Sequence, residues 1–177
     1  MKPLLVPYNG KSPVIAADAF IAPNAVLIGD IVVGQGSSVW YGCTVRGDVN
    51  FIRIGDRSNI QDNSVVHVDS GKYATLIGND VLVGHMCIIH GCELQDGSFV
   101  GMKSCVMDGV VVESQAMVAA GALITPGKIV RRGQLWAGSP AKHLRDLSEK
   151  EMAYFPVATQ LYAQYAQNHR REIASLG

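Results

Sequence analysis

Three of the chain's five histidines, His67, His85 and His90, crowd into one stretch from Val66 to Gly91, VHVDSGKYATLIGNDVLVGHMCIIHG. The sequence around them is aliphatic and glycine-rich and has no structural need of imidazole. Neutral imidazole is the commonest protein metal ligand. Three histidines that leave one coordination position open form a catalytic zinc arrangement. The competing reading is three unrelated surface or capping histidines. The choice between them turns on whether the fold brings the three together.

A chain of 177 residues suits one domain with a real core. Its formal net charge is zero, so it carries no electrostatic footprint for nucleic acid or an anionic membrane. Aromatic residues are scarce, at 7%, and Gly, Val and Ile are plentiful, a mix that suits short strands and tight turns. No stretch is apolar for long enough to cross a bilayer. Pro3 and Pro7 break the opening MKPLLVPYNG, which does not read as a signal peptide. Cys43, Cys87, Cys92 and Cys105 form no CxxC pair. A cytoplasmic protein with reduced thiols is the expectation.

The elements that must position the histidines show themselves as a six-residue beat. Aliphatic residues recur at Ile21, Leu27, Val33, Val39 and Val45, then at Ile54, Ile60 and Val66, then at Ile77, Val83 and Ile89. After a step one residue short the beat continues at Leu94, Val100, Val106, Val112, Val118 and Ile124. The residue four later is small or aliphatic, as at Ala25, Ser37, Cys43, Ser64, Cys87 and Ala116. Helical spacing is absent here, and alternation at two is repeatedly reset by turns. One strand plus one turn per six residues, three to a coil, gives an all-β solenoid of roughly six coils with the aliphatic residues stacked inside.

The expected layout is a single domain: an N-terminal arm over residues 1–13, the β-helix over 14–136 and a C-terminal helical segment over 137–177. Ser148-Glu149-Lys150-Glu151 reads as a capping box. Pro156 is expected to interrupt the helix, with Ala158, Tyr162, Tyr165 and His169 on one face of its second part, packed back along the solenoid.

The pattern [LIV]-[GAED]-x-x-[STAV]-x, with Trp136 to Lys142 (WAGSPAK), resembles the hexapeptide-repeat proteins, which are left-handed parallel β-helices. Within them, RGD at Arg46 to Asp48, NIQD at Asn59 to Asp62, and His67 followed by GHxxxxHG at Gly84 to Gly91 resemble the γ-class carbonic anhydrases. The left hand comes from this resemblance alone, since the usual crossover rule favours the other hand.

The repeat register then tests the histidines. Val45, Val66 and Ile89 are each three units apart, so Arg46, His67 and His90 stack along one edge, about 4.8 Å per coil. Imidazoles at that separation can share one metal. His85 follows Val83 by two and stacks over Asp62 at a different corner. The simplest resolution is a closed ring of three identical subunits in which His85 comes from a neighbour. The resemblance implies the same homotrimer, with a Zn2+ site (Fe2+ or Co2+ being possible occupants) at each interface. Arg46 is expected to meet the neighbour's Asp62 as an ion pair, with Asp48 an interface residue. Asn59 is expected to serve the turn. Gln61, on the edge that carries His85, is expected to point toward the metal and orient its activated water, or else to be a rung capping the coil edge. Tyr162 is either core packing or a proton-transfer group. His143 and His169 read as solvated or helix-packing residues.

By resemblance the activity is the reversible hydration of CO2 to bicarbonate, a lyase reaction. The loop after the first ligand, Asp69-Ser70-Gly71-Lys72-Tyr73, has one acid and no Glu, where the best-known member of that class carries proton-shuttling glutamates. Proton return then falls to buffer, Asp69 or Tyr162. The alternatives are an acyl-CoA thioesterase or other hydrolase using the same metal, an acyltransferase of the hexapeptide kind, and a structural trimer clamped by metal.

Overall fold

The structure, a computed structural model, describes residues 2–175. Short parallel strands wind into a left-handed β-helix of about 7 turns, closed by one C-terminal helix. Three flat faces run the length of the coil. The first carries Val65–His67, Ile88–His90, Cys105–Val106 and Leu123–Ile124, each paired in parallel with the next. The second carries Thr75–Ile77, Glu93–Leu94, Val111–Val112 and Ile129–Val130. Two long strands, Val26–Val33 and Thr44–Ile54, bend around the corner and serve both of these faces. The third face runs from Phe20–Ile21 through Ser38–Val39, Asn59–Ile60, Leu82–Val83, Phe99–Val100 and Met117–Val118 to Gln134–Gly138.

The strands are this short because each coil must turn three times. One corner is held by Asn63, Met86 and Lys103 in the left-handed region, at φ of 60°, 62° and 60°. Non-glycine residues there cost strain that the surrounding pairing must hold.

Sixteen of the seventeen beat positions are at most 3% exposed; Ile21, on the first coil, is half-buried. The residues four later are buried with them, and of the serines among them all but Ser98, whose hydroxyl has no partner, are satisfied between coils. Ser37, Ser58 and Ser64 donate to the carbonyls of Gly55, Gly78 and Gly84 at 2.6, 2.7 and 3.0 Å. A hydroxyl costs little inside such a core once it is paired.

The sheet begins before the expected bound at residue 14. The arm is itself part of the sheet, since Leu4–Val6 pairs with Val26–Val33. Past Ile124 the beat goes on, with Val130 fully buried and Trp136 paired with Val118. The expected helical segment from 137 begins instead as an antiparallel hairpin, Gln134–Gly138 with Ala141–Asp146. The helix, α1, spans Glu149–Ser175.

Its start is the expected capping box: Glu151 accepts from the backbone N–H of Ser148 at 2.9 Å, and the Ser148 hydroxyl accepts from the backbone N–H of Glu151 at 3.3 Å. Pro156 does not interrupt it. Only one backbone donor is missing there, and the helix is held by what it packs against: Phe155, Ala158, Thr159 and Ala166 are buried. Ala166 takes the inward position expected of Tyr165, which is 46% exposed. Leu176 and Gly177 lie outside the described residues.

Candidate metal centre

Core stacking fixes the first two histidines. Val66 pairs with Ile89 and His67 with His90 in register on adjacent coils, and the two rings lie 5.0 Å apart. His67 Nδ1 and His90 Nε2 face each other at 3.1 Å. Two nitrogens on one tetrahedral ion at 2.0–2.1 Å each stand about 3.3 Å apart, so this edge has the spacing of two ligands of a common metal. Their other nitrogens face carboxylates. His67 Nε2 lies 3.1 Å from Asp48 Oδ1, and His90 Nδ1 lies 2.6 Å from Asp108 Oδ1. Carboxylates bonded this way fix tautomer and ring direction and make metal-ligating imidazoles more basic. Both pairs sit partly shielded from solvent.

His85 stands apart, in the turn that leads into the Ile88–His90 strand. Four residues lie between it and His90, and the turn at His85 and Met86 puts it at a different corner of the coil from the His67 and His90 edge. Its Nδ1 lies 2.9 Å from Asp62 Oδ2, one coil below. Tyr41, Asp62, His85 and Met102 form one corner column, with backbone hydrogen bonds linking each coil to the next. Among the described residues, no group of three or more His, Cys, Asp or Glu side chains is placed to hold a metal ion. One chain therefore presents a two-histidine edge and a one-histidine edge, each with its carboxylates.

Within the chain Arg46 Nη1 donates to Asp48 Oδ2 at 2.5 Å, and Asp62 is engaged by His85. Any pairing of Arg46 with a neighbour's Asp62 would add to these bonds. Burial works against the Asp48 carboxylate, but hydrogen bonds from Arg46 and His67 outweigh it and hold its pKa below the usual range.

Gln61 does not lie open at the edge. It is buried on the face that α1 covers, and its Nε2 donates to Asn59 Oδ1 at 3.0 Å. Asn59 is likewise buried, and its Nδ2 has no hydrogen-bond partner. Tyr162 stands edge-on to Trp40 at 5.5 Å and to Tyr165 at 5.9 Å. Burial first, and then the negative field of Asp62, push its pKa up, so its phenol keeps its proton at neutral pH. Asp69 spends a carboxylate oxygen on the backbone N–H of Lys72 at 3.1 Å. Of the outlying histidines, His169 packs on Trp40 and shares a 2.9 Å hydrogen bond with the Tyr41 hydroxyl, and His143 pairs with Asp146.

No thiol competes for the chemistry. All four cysteines are free, and burial pushes Cys43 and Cys87 up to about 11 and raises Cys92 further.

Asp108 escaped the sequence reading. Its signal was positional: it comes two residues after Val106, which pairs with Ile89, and so lies one coil above and one residue beyond the level of His90.

The family described as bacterial transferase hexapeptide (six repeats) matches residues 12–47. A hexapeptide transferase family protein of Anaplasma phagocytophilum is 48% identical, with a TM-score of 0.90 over 93% of this chain and 97% of its own. The chain belongs to the hexapeptide-repeat family. Among its members, a γ carbonic anhydrase 2 of Arabidopsis thaliana, named as mitochondrial, is 49% identical over 92% of this chain. The present chain spans 60% of that relative's length. A putative acetyltransferase of Bacillus cereus is 34% identical, with a TM-score of 0.94 over 97% of this chain and 99% of its own. Over most of its length this hexapeptide-repeat chain is similar to relatives named γ carbonic anhydrase. No helix among the described residues is long and apolar enough to cross a membrane.

Proposed function

We propose that this protein is a zinc-dependent carbonic anhydrase of the γ type, hydrating CO2 at metal sites shared between the subunits of a homotrimer. The observation that carries the reading is the pair of edges: His67 and His90 with nitrogens 3.1 Å apart, and His85 alone at another corner, each ring held by a carboxylate. The relatives named γ carbonic anhydrase support the reaction. Exposed apolar residues flank both edges, Val65 and Ile88 beside His67 and His90, and Met86 beside His85. Such a surface suits burial against a second copy.

His67 and His90 of one chain and His85 of the next would hold the ion, which Fe2+ or Co2+ could replace. Zinc held there would supply a nucleophile at neutral pH by lowering the pKa of a water to about 7. The chain's own residues do the rest. Asp48, Asp62 and Asp108 keep the three rings in one tautomer and orientation. Gln61, next to the His85 column, orients a hydrogen-bonding partner at the site, and Asn59 holds its amide in place. Tyr162, with its proton retained, can donate a hydrogen bond toward the site but is a poor carrier of protons. Solvent buffer then returns protons to the bulk.

The cytoplasm, or another reducing compartment, fits four free thiols. A metal-dependent acyl-CoA hydrolase is the second reading, favoured by kinship with proteins named as acyl-group transferases. CO2 hydration and acyl-CoA hydrolysis, each assayed on protein of measured zinc content, decide between the two. Full zinc with no CO2 hydration above buffer ends the carbonic anhydrase reading.

A further inference from the structure

Resting on the metal-site reading, we propose that Tyr73 is a positioning residue: the insert after His67 exists to press this ring against the coil beside Asp108, so that Asp108 stays on His90. The insert is anchored to both ligand strands. Thr75 Oγ1 donates to the carbonyl of His67 at 2.5 Å and accepts from the backbone N–H of Gly91 at 3.0 Å. Its tip is closed on itself, with Asp69 N–H bonded to the Tyr73 carbonyl at 3.0 Å.

Two glycines make the seat. Gly91 and Gly109 lie on successive coils, joined by a 2.8 Å backbone hydrogen bond, at φ of 53° and 67°. A Cβ on Gly109 would stand 2.9 Å from the Tyr73 ring. A Cβ on Gly91 would stand 3.1 Å from Tyr73 Cβ and 2.3 Å from Asp108 Oδ1. The Tyr73 ring therefore occupies space that glycine leaves free at Gly109, while the Asp108 carboxylate fills the space left at Gly91 with Tyr73 Cβ beside it. The Lys72 ammonium lies over the ring, 4.7 Å from its centroid. The contact is made by the ring, so Tyr73→Phe should keep it and Tyr73→Ala should lose it.

The loop that resembles a proton-shuttle position is thereby a brace, which accounts for a tyrosine and no glutamate there. Loss of such a supporting carboxylate lowers metal affinity about 10–100-fold. The test is Co2+ affinity of the full chain, with the absorption spectrum of the bound ion, for wild type, Tyr73→Ala, Tyr73→Phe, Asp108→Asn and the Tyr73→Ala/Asp108→Asn double variant. The 15N resonances of His90 in metal-free protein report its tautomer independently. Tyr73→Ala and Asp108→Asn should each weaken Co2+ binding and disturb the His90 tautomer, the double variant should be no worse than Asp108→Asn alone, and Tyr73→Phe should match wild type. Wild-type affinity and tautomer in Tyr73→Ala, or losses that multiply in the double variant, overturn the proposal. If wild type takes up no Co2+ while Tyr73→Ala still shifts the His90 tautomer, the brace stands and the metal-site reading falls.

Discussion

Gly91 has no side chain because Asp108 needs the room: a Cβ there would come within 2.3 Å of the carboxylate oxygen that holds His90. Gly91→Ala therefore brings two penalties. The residue sits at φ 53°, where an L side chain costs about 1–2 kcal/mol. The new methyl also pushes Asp108 off His90, and metal affinity should fall about 10–100-fold. Zinc competition with a chelator measures it, and wild-type affinity would refute the steric relation.

Gln61→Ala should keep zinc and the trimer while lowering CO2 turnover by about 10²-fold or less, the effect of losing one preorganised donor. The same change strips Asn59 Oδ1 of its buried donor and should cost about 1–3 kcal/mol in stability. Turnover and urea unfolding on the same preparation separate the two. Unchanged turnover with lost stability would make Gln61 a rung of the solenoid alone.

The beat was legible because each coil contributes the same contacts: a column of Val, Leu and Ile at period six can be buried in only one way. It carried His67 and His90 into register, and it set His85 apart over Asp62. What it could not carry was anything fixed by partners distant in sequence. The covering of Gln61 depends on which face α1 lies against, a contact across about a hundred residues of chain. Asp108 acts through a gap left by Gly91, and a glycine in a turn-rich repeat looks like every other turn glycine. Pro156 broke the local rule for helices, and tertiary packing of Phe155 and Ala158 overrode it. Past Ile124 the beat is carried by Val130 and by Trp136, whose side chain is not aliphatic, so the stretch reads as a fading repeat although it lies inside the expected 14–136 bounds.

Arg46→Ala should loosen the assembly. The guanidinium holds Asp48, and Asp48 holds His67, so both the interface and the two-histidine edge lose a support. The Arg46 side chain is 42% exposed in the single chain, so the cost of about 2–5 kcal/mol for truncating one partner of a desolvated pair applies to the assembled trimer that buries it. Sedimentation at falling protein concentration should reveal dissociation of the variant where wild type stays assembled; identical behaviour would contradict the role.

Acid should unpick the start of α1. Hydrogen bonding to Arg145, and then to Ser148, lowers the Glu151 pKa to about 2, below the unfolded value of about 4.3. A depressed carboxyl pKa contributes stability that is complete above the unfolded value and is lost as pH falls from about 4.3 through about 2. Glu151→Gln should accordingly be less stable than wild type at pH 7, with the gap closing across that window. Urea midpoints at pH 7, 4 and 2.5 read it, and a gap independent of pH would contradict the assignment.

The shared site is tested most directly by mixing subunits. His85→Ala and His90→Ala should each take up no zinc as pure trimers. Refolded together at equal amounts, about a quarter of the interfaces should join an intact His67/His90 edge to an intact His85 edge, as random assembly of a three-membered ring requires. Zinc bound per chain should then recover to about a quarter of the wild-type value, with CO2 hydration returning in proportion. No recovery in the mixed trimers, or full zinc in either variant alone, would contradict a metal site built from two chains.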